Sequence, residues 1–390
     1  MSTELREASS ATRKNNWVNI IFFSVTTVVG VVGTPLYLYQ FGISSAEIWL
    51  FSLFVIATAM SITVGYHRLF AHVTFKTNKP VRFLLLFFGA AAFEQSALEW
   101  CAQHREHHRY VDTDRDPYSI KKGFFYAHIG WLTCWKHDVN YANVKDLKKD
   151  PLLLNQHRYY YLWAIVAGVV TPLVLGTLTG HLLGAFVVAV CLRLTLVYHT
   201  TFFINSICHL FGKSTYDIYA TAKDNWLIAL ITFGEGYHNF HHRFPGDYRN
   251  GVRWYQWDPS KWLIALLGKL GLARDLKRVS DFQILRARLA GENRRVNDWL
   301  IRMGERTELL ELSEVVRLQY QNLRRNLKHW EEAAKGHARA LDRKAAHYSE
   351  ELRESAQRKL IEAREHFKHS QQAWNALLRW CPHPVGPANW

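Results

Sequence analysis

Long apolar runs without charge dominate the first part of this 390-residue chain. No charged residue occurs between Trp17 and Gln40, a length sufficient to cross about 30 Å of hydrocarbon. A second run extends from about Ile43 to Tyr66, with Glu47 near its start. A third and a fourth cover Tyr159–Gly180 and Leu182–Ser206, the last carrying Arg193. The pattern predicts four membrane-spanning helices in two pairs, at about 17–40, 43–66, 159–180 and 182–206. A fifth run, Phe83–Phe93, is too short to span and contains Gly89, so it is expected as an interfacial or re-entrant helix. The first run is too long for a secretory signal and lacks a small-residue cleavage site. Arg6, Arg13 and Lys14 precede it, and the stretch after the second run is rich in Lys and Arg. By the positive-inside bias, both termini and the middle segment are expected in the cytoplasm.

Beyond about residue 269 the pattern changes. From Leu309 to Leu378 charges dominate, Gly336 is the one helix breaker, and apolar residues return at three–four spacing. They include Leu312, Val316, Leu323, Leu327, Trp330, Leu341, Ala345, Tyr348, Leu352, Phe367 and Trp374. Such a stripe predicts one long helix, or a folded-back helical hairpin, packed along a seam. The expected fold class is therefore all-α: an integral membrane protein with four spans, a cytoplasmic cap between them and a helical or coiled-coil C-terminal extension.

Composition refines this picture. A hydrophobic share of 49% against 21% charged excludes a disordered chain. The net charge of +15 could face nucleic acid, anionic lipid or a phosphate-bearing substrate. The apolar runs select the bilayer, and Lys/Arg and Glu alternate in the C-terminal part, so no nucleic-acid partner is expected. Fifteen tryptophans and eighteen tyrosines suit a membrane–water boundary. The five cysteines are scattered without a C-x-x-C pair, which points to a reducing compartment.

The chemistry lies in the histidines. Of twenty, eight fall in three tight groups: His67 and His72; His104, His107 and His108; His238, His241 and His242. Spacings of three and four place side chains on one helix face, so each H-x-x-H-H can aim its rings at a common point. Neutral imidazole suits iron, copper, nickel or zinc, and eight rings exceed the needs of one ion. Two ions are expected. Five residues correspond to roughly 140° of rotation at 3.6 residues per turn, so His67 and His72 are expected on different ions. If Phe83–Phe93 does not cross, all three groups face the same compartment. The H-E-x-x-H of metallohydrolases is missing.

The motifs G-Y-H-R-L-F-A-H, E-W-C-A-Q-H-R-E-H-H, D-R-D-P-Y, N-S-I-C-H-L-F-G and G-E-G-Y-H-N-F-H-H resemble those of membrane fatty acyl-CoA desaturases of the stearoyl-CoA type, over roughly residues 15–265. The resemblance implies a ninth ligand, His209, and a metal-bound water held by Asn205. It implies two irons, with the division of ligands between them left open. The reaction implied consumes O2 and two electrons and yields a cis-alkene, at the delta-9 position, and two waters. A membrane di-iron hydroxylase or alkane monooxygenase is the alternative. Trp100 and Lys136 match substrate-binding positions, whereas Trp135 and Ala102 stand where animal relatives carry arginine, and Glu94, Gln95 and Ser96 replace another polar set. A long-chain acyl-CoA is thus the expected substrate, with an acyl lipid or carrier-bound chain left open. Neither tail holds an H-P-G-G haem signature. A separate donor is expected: ferredoxin, rubredoxin, a flavoprotein reductase or cytochrome b5. The domains expected are a cytoplasmic tail (1–15), the desaturase domain (16–268) and a charged extension (269–390). A bacterial cell membrane is expected rather than the endoplasmic reticulum, with the active site in the cytoplasm.

Two further expectations concern the spans. A charge within a span is costly, so Arg193 should face the bundle interior near an acidic or carbonyl partner. Thr63, Ala59, Val55 and Phe51 lie one turn apart behind His67, and Ala59 and Val55 are expected to line the acyl tunnel about 12 and 18 Å from it.

Overall fold

The computed structural model describes residues 12–136, 138–304, 307–341 and 350–380, without the side chains at 12–13, 135–136 and 307. It divides into two compact units, residues 1–214 with 219–278, and residues 215–218 with 279–390. Residues 269–278, expected in the extension, pack with the first unit. The reason is a two-residue strand, Ala273–Arg274, that pairs antiparallel with Lys76–Thr77.

In the first unit four helices are long and apolar enough to cross a membrane: Trp17–Phe41, Ser45–Ala71, Tyr160–Leu178 and Leu182–Leu210. Local signals set their ends. Asn16 accepts from the Asn19 amide at the first start. Ser44 and Glu47 form a reciprocal capping box at the second, after Gly42 turns the chain at φ +70°. The fourth helix is the centre of the bundle: 67% of its most apolar window is buried, against 22% for the first. Gly30 lets these two approach, since a Cβ there would meet the Leu192 backbone at 2.9 Å. Outward-facing Ile21, Val25, Val28, Leu53 and Leu178 are apolar and exposed, as a lipid solvent requires.

Arg193 is 0% exposed, as expected of a span charge facing inward. It donates to the carbonyls of Ala189 (3.1 Å) and Gly168 (2.6 Å) and to that of Ala91. The apolar run 83–93 forms the helix Lys79–Ala90, capped by Asn78 and packed on the C-terminal end of the second span. The second group of histidines rides on Ala97–Tyr110, capped by Ser96, and the third on the short helix His238–Arg243.

Among its described residues the second unit contains three helices, Asp281–Met303, Thr307–Leu341 and Glu350–Trp380. The folded-back arrangement is the one adopted. Leu285, Leu289, Val296, Val316, Leu323, Leu327, Phe367, Trp374 and Leu378 form one core. Inside it the Trp374 indole donates to Glu292 Oε2 at 3.0 Å. Leu341 and Leu352 of the expected stripe are exposed, and Ala345 and Tyr348 lie outside the described residues.

Candidate metal centre

The second span does not end as an ordinary α-helix. Ser61–Ala71 is wound as a π-helix, and the His72 amide donates to the His67 carbonyl at 3.0 Å. Bonding from i to i+5 places residues five apart on the same side. His67 and His72 therefore meet, their ring centroids 4.8 Å apart. The expectation that they serve different ions, which rested on 3.6 residues per turn, is corrected by this winding.

Nine histidines separate into two groups whose candidate ligand atoms lie within 4.8 Å of one another: His67, His72, His104, His108 and His241; and His107, His209, His238 and His242. In the first, Nε2 of His67 lies 2.9 Å from that of His241, His241 from His108, and His72 from His104. In the second, His209 and His242 each approach His238 at 3.0 Å, and His107 approaches His242 at 3.3 Å. The groups adjoin through His108 and His242, stacked at 4.3 Å.

The charge state follows from burial. Desolvation, and then the neighbouring rings, hold His72, His104, His108, His238, His241 and His242 well below the usual histidine value. Neutral rings are the metal-binding form. Acceptors behind them orient several. His67 Nδ1 faces Glu235 at 2.8 Å. His107 Nδ1 faces Asp116 at 2.8 Å. His209 Nδ1 reaches Thr221 Oγ1 at 2.6 Å, and that hydroxyl donates to Asp112 at 2.6 Å. With Nδ1–H engaged in this way, each Nε2 turns a lone pair inward. Such lone pairs about 3 Å apart cannot bond each other. They suit neighbouring positions around one cation at bonds of about 2.1 Å. The donor set therefore fits a metal ion in each group.

The supports are themselves fastened. Arg68, buried, donates to Glu235 Oε1 through Nε and Nη2 and to both oxygens of Asp258. Burial alone raises the Glu235 carboxyl, yet the interactions with His67 and Arg68 outweigh it and leave it at about 2. Burial also works against the Asp116 anion, and His107 reverses that, so its pKa is lowered. Asp112 supports the same turn, at φ +63°, and its amide donates to Asp116 Oδ2.

A cavity of ≈ 330 Å³ reaches both groups, through His67 and His104 on one side and His238 on the other. Trp100 and Asn205, the residues expected to contact substrate and a water, line this cavity, and Trp100 stacks on His104 at 4.7 Å. Ala59 and Thr63 line it too, but Val55 and Phe51 do not. Val55 as a tunnel residue is thus corrected: the cavity closes a turn earlier, and Phe51 packs on the cluster of Tyr37, Val187 and Val188. Lys136 joins a two-residue strand opposite Thr12, and its side chain falls outside the described residues. Glu94 was noted only as a departure, yet it lies in this wall beside Thr201 and Trp100, its carboxyl pushed up to about 8 by burial.

Sequence reasoning assigned no role to Glu235, Asp116, Asp112 or Thr221. The signal available was the acids inside G-E-G-Y-H and D-R-D-P-Y, motifs marked for their neighbours, which hold Glu235 and Asp116; Asp112 and Thr221 lie outside them.

An α-helical membrane bundle with paired histidine clusters in the wall of an apolar cavity defines the class of protein. Residues 44–274 match the family model for fatty acid desaturases. The chain is 39% identical over 292 residues to acyl-CoA desaturase 1 of Saccharomyces cerevisiae, covering 72% of this chain and 56% of that protein. It is 37% identical over 299 residues to a probable acyl-CoA desaturase of Schizosaccharomyces pombe, covering 75% and 61%. Against stearoyl-CoA desaturase 5 of Bos taurus the identity is 35% over 285 residues, covering 70% and 83%. The chain belongs to the fatty acid desaturase family. Its match spans less than two thirds of the two yeast relatives. These relatives are fungal and mammalian, so they lend no support to the expected bacterial membrane.

Proposed function

We propose that this protein is an O2-dependent acyl desaturase that places a cis double bond at the delta-9 position of a saturated long-chain acyl-CoA. The observation that carries this reading is one apolar cavity touching two adjoining histidine groups. The names of the relatives supply the substrate class. The reaction converts –CH2–CH2– with O2, two electrons and two protons to –CH=CH– and two waters.

The nine histidines are the proposed ligands of two irons, and Asn205, which lines the same cavity, is the proposed holder of a water beside them. When bound, the irons supply the oxidising power that C–H cleavage requires and that no side chain has. The protein's own groups do the rest. Neutral rings keep their lone pairs directed inward, and Glu235, Asp116 and the Thr221–Asp112 pair hold the rings in place. Apolar walls exclude water around the acyl chain. Trp100, stacked on His104, bounds the chain where it passes the centre. The two electrons come from a redox donor. By the basic flanks of the first two spans, both termini and the histidine groups face the cytoplasm.

Product analysis tests this reading. Membranes containing the full chain, supplied with saturated acyl-CoA, a reductant and O2, should yield a cis-alkene at carbon 9 and about two irons per chain. An alcohol in place of the alkene would instead establish the hydroxylase alternative.

A further inference from the structure

The fourth span ends at Leu210, just past His209, and the loop that follows is pinned at its base. Lys213 and Asp224 exchange two backbone hydrogen bonds, at 2.9 and 2.8 Å, and the Lys223 amide donates to the Cys208 carbonyl at 2.7 Å. Gly212, at φ +139°, permits the close approach, since a Cβ there would meet the Asp224 carbonyl oxygen at 2.5 Å.

The returning leg of this loop carries supports for the second histidine group. Thr221 Oγ1 reaches His209 Nδ1 and donates to Asp112 Oδ1, each at 2.6 Å, and the Thr221 amide donates to Asp112 Oδ2 at 2.9 Å. The Ala222 carbonyl accepts from Asn239 Nδ2 at 2.8 Å, and Asp224 Oδ1 accepts from the Phe240 amide at 3.0 Å. Those two bonds fasten the helix His238–Arg243, which carries His238 and His242. His209 belongs to the second group alone.

The tip of the same loop belongs elsewhere. Thr215–Ile218 pack within the second unit, and the chain rejoins the first at Tyr219. Their partner is the helix Asp281–Met303, at Gly291. A Cβ on this buried glycine would meet the Thr215 carbonyl oxygen at 2.8 Å and Ile218 Cγ2 at 3.5 Å. Glycine is a poor residue for a helix interior, and here it lets helix and tip touch. Only Tyr219 and Ala220 separate Ile218 from Thr221, a reach of at most about 11 Å at 3.8 Å per residue. A tip held in place thus leaves Thr221 little freedom.

We propose that the C-terminal helical unit serves the metal centre: by gripping the loop tip at Gly291 and Ile218, it holds Thr221 where that hydroxyl orients His209. Gly291, Ile218 and Thr221 are positioning residues. The grip bears on the ion of the second group, while His67, His72, His104 and His108 of the first stand on other elements. The proposal rests on the metal-binding reading of the nine histidines.

Iron retention tests it without turnover. Full-length protein loaded with ferrous iron is titrated with a chelator, and iron per chain is followed. The unaltered chain should give up two irons. Ile218→Ala, which removes the packed methyl groups, and Gly291→Val, which displaces the Thr215 carbonyl, should each weaken one iron about 10–100-fold, the range for partners behind a ligand histidine. The other iron should be held as before. Thr221→Ala should match them, and Thr221→Ser, which keeps the hydroxyl, should retain both irons. Because the grip acts through Thr221, the double change Thr221→Ala with Ile218→Ala should lose no more than Thr221→Ala alone. Limited proteolysis of residues 279–380 shows whether the second unit is intact, and where Gly291→Val loosens it, Ile218→Ala decides. Both irons held normally by Ile218→Ala, equal weakening of both, or losses that multiply in the double variant overturn the grip. An unaltered chain that binds no iron overturns the metal reading and the grip with it.

Discussion

The two units of this protein invert one another. In the first, the exposed surface of the spans is apolar and the interior holds charge: Arg68, Arg193, Glu235, Asp258 and neutral histidines are buried while Val28 and Leu53 face outward. In the second, Val316, Leu323, Phe367 and Trp374 are buried, and ion pairs such as Arg317–Glu314 and Lys335–Glu331 lie outside. The same twenty residue types obey the same physics in different solvents. Lipid leaves no reason to hide a valine, so the interior of a spanning bundle is free for polar chemistry once every buried group finds a partner. Water reverses the assignment, and the second unit is stabilised mainly by burying aromatic and aliphatic side chains.

The largest effects that test this contrast should come from the polar interior of the first unit. His107→Ala or His241→Ala should abolish alkene formation and lower iron content, whereas His329→Ala, exposed in the second unit, should change neither. Asp116→Ala, which leaves His107 without its acceptor, should cost about 10–100-fold in metal affinity. Iron analysis after dialysis separates this from a folding defect.

Next in size is the core of the second unit. Trp374→Ala removes its most deeply packed ring and strips Glu292 of a donor. A loss of about 3–5 kcal/mol is expected, read as earlier proteolysis within residues 279–380 on heating. A normal proteolysis profile would show that this unit is not held by the core described.

A matched pair of surface changes addresses the solvent directly. Val28 and Leu318 are comparably exposed, at 59% and 50%. Val28→Asp should impede insertion by about 2.5–3.5 kcal/mol at mid-span, while Leu318→Asp should stay within about 0.5 kcal/mol. Equal loss of membrane-integrated protein from both would mean that the two surfaces share one solvent.

The smallest effect is a pH dependence. Glu235 titrates at about 2 in the folded protein, below its ordinary 4.5. A depressed carboxylate stabilises the fold fully above its ordinary value, and that contribution is lost as pH falls from about 4.5 toward 2. Glu235→Gln should flatten the fall in melting temperature across that window. An unchanged slope would assign acid sensitivity to other groups.

How much of this was legible in the chain varies by element. The four spans were read to within a few residues, because about 20 consecutive apolar residues have few other uses. Arg193 was expected to face inward, because charge in hydrocarbon has so few alternatives. The nine histidines were marked by grouping and by family resemblance. Their partition was not. His67 and His72 join one group because packing at the end of the second span winds Ser61–Ala71 as a π-helix, and residue spacing carries no trace of that choice. Nor could spacing show that Glu235 would stand behind His67, 168 residues away.

The sequence by itself determined which segments enter the bilayer, which residues can bind metal and where a charged helical region begins. These depend on solvent transfer and side-chain chemistry, which act residue by residue. Only the tertiary structure decided which rings come together in one group, which acids orient them and which residues line the cavity. Those outcomes depend on distances between remote segments, and the packing of the whole bundle sets them.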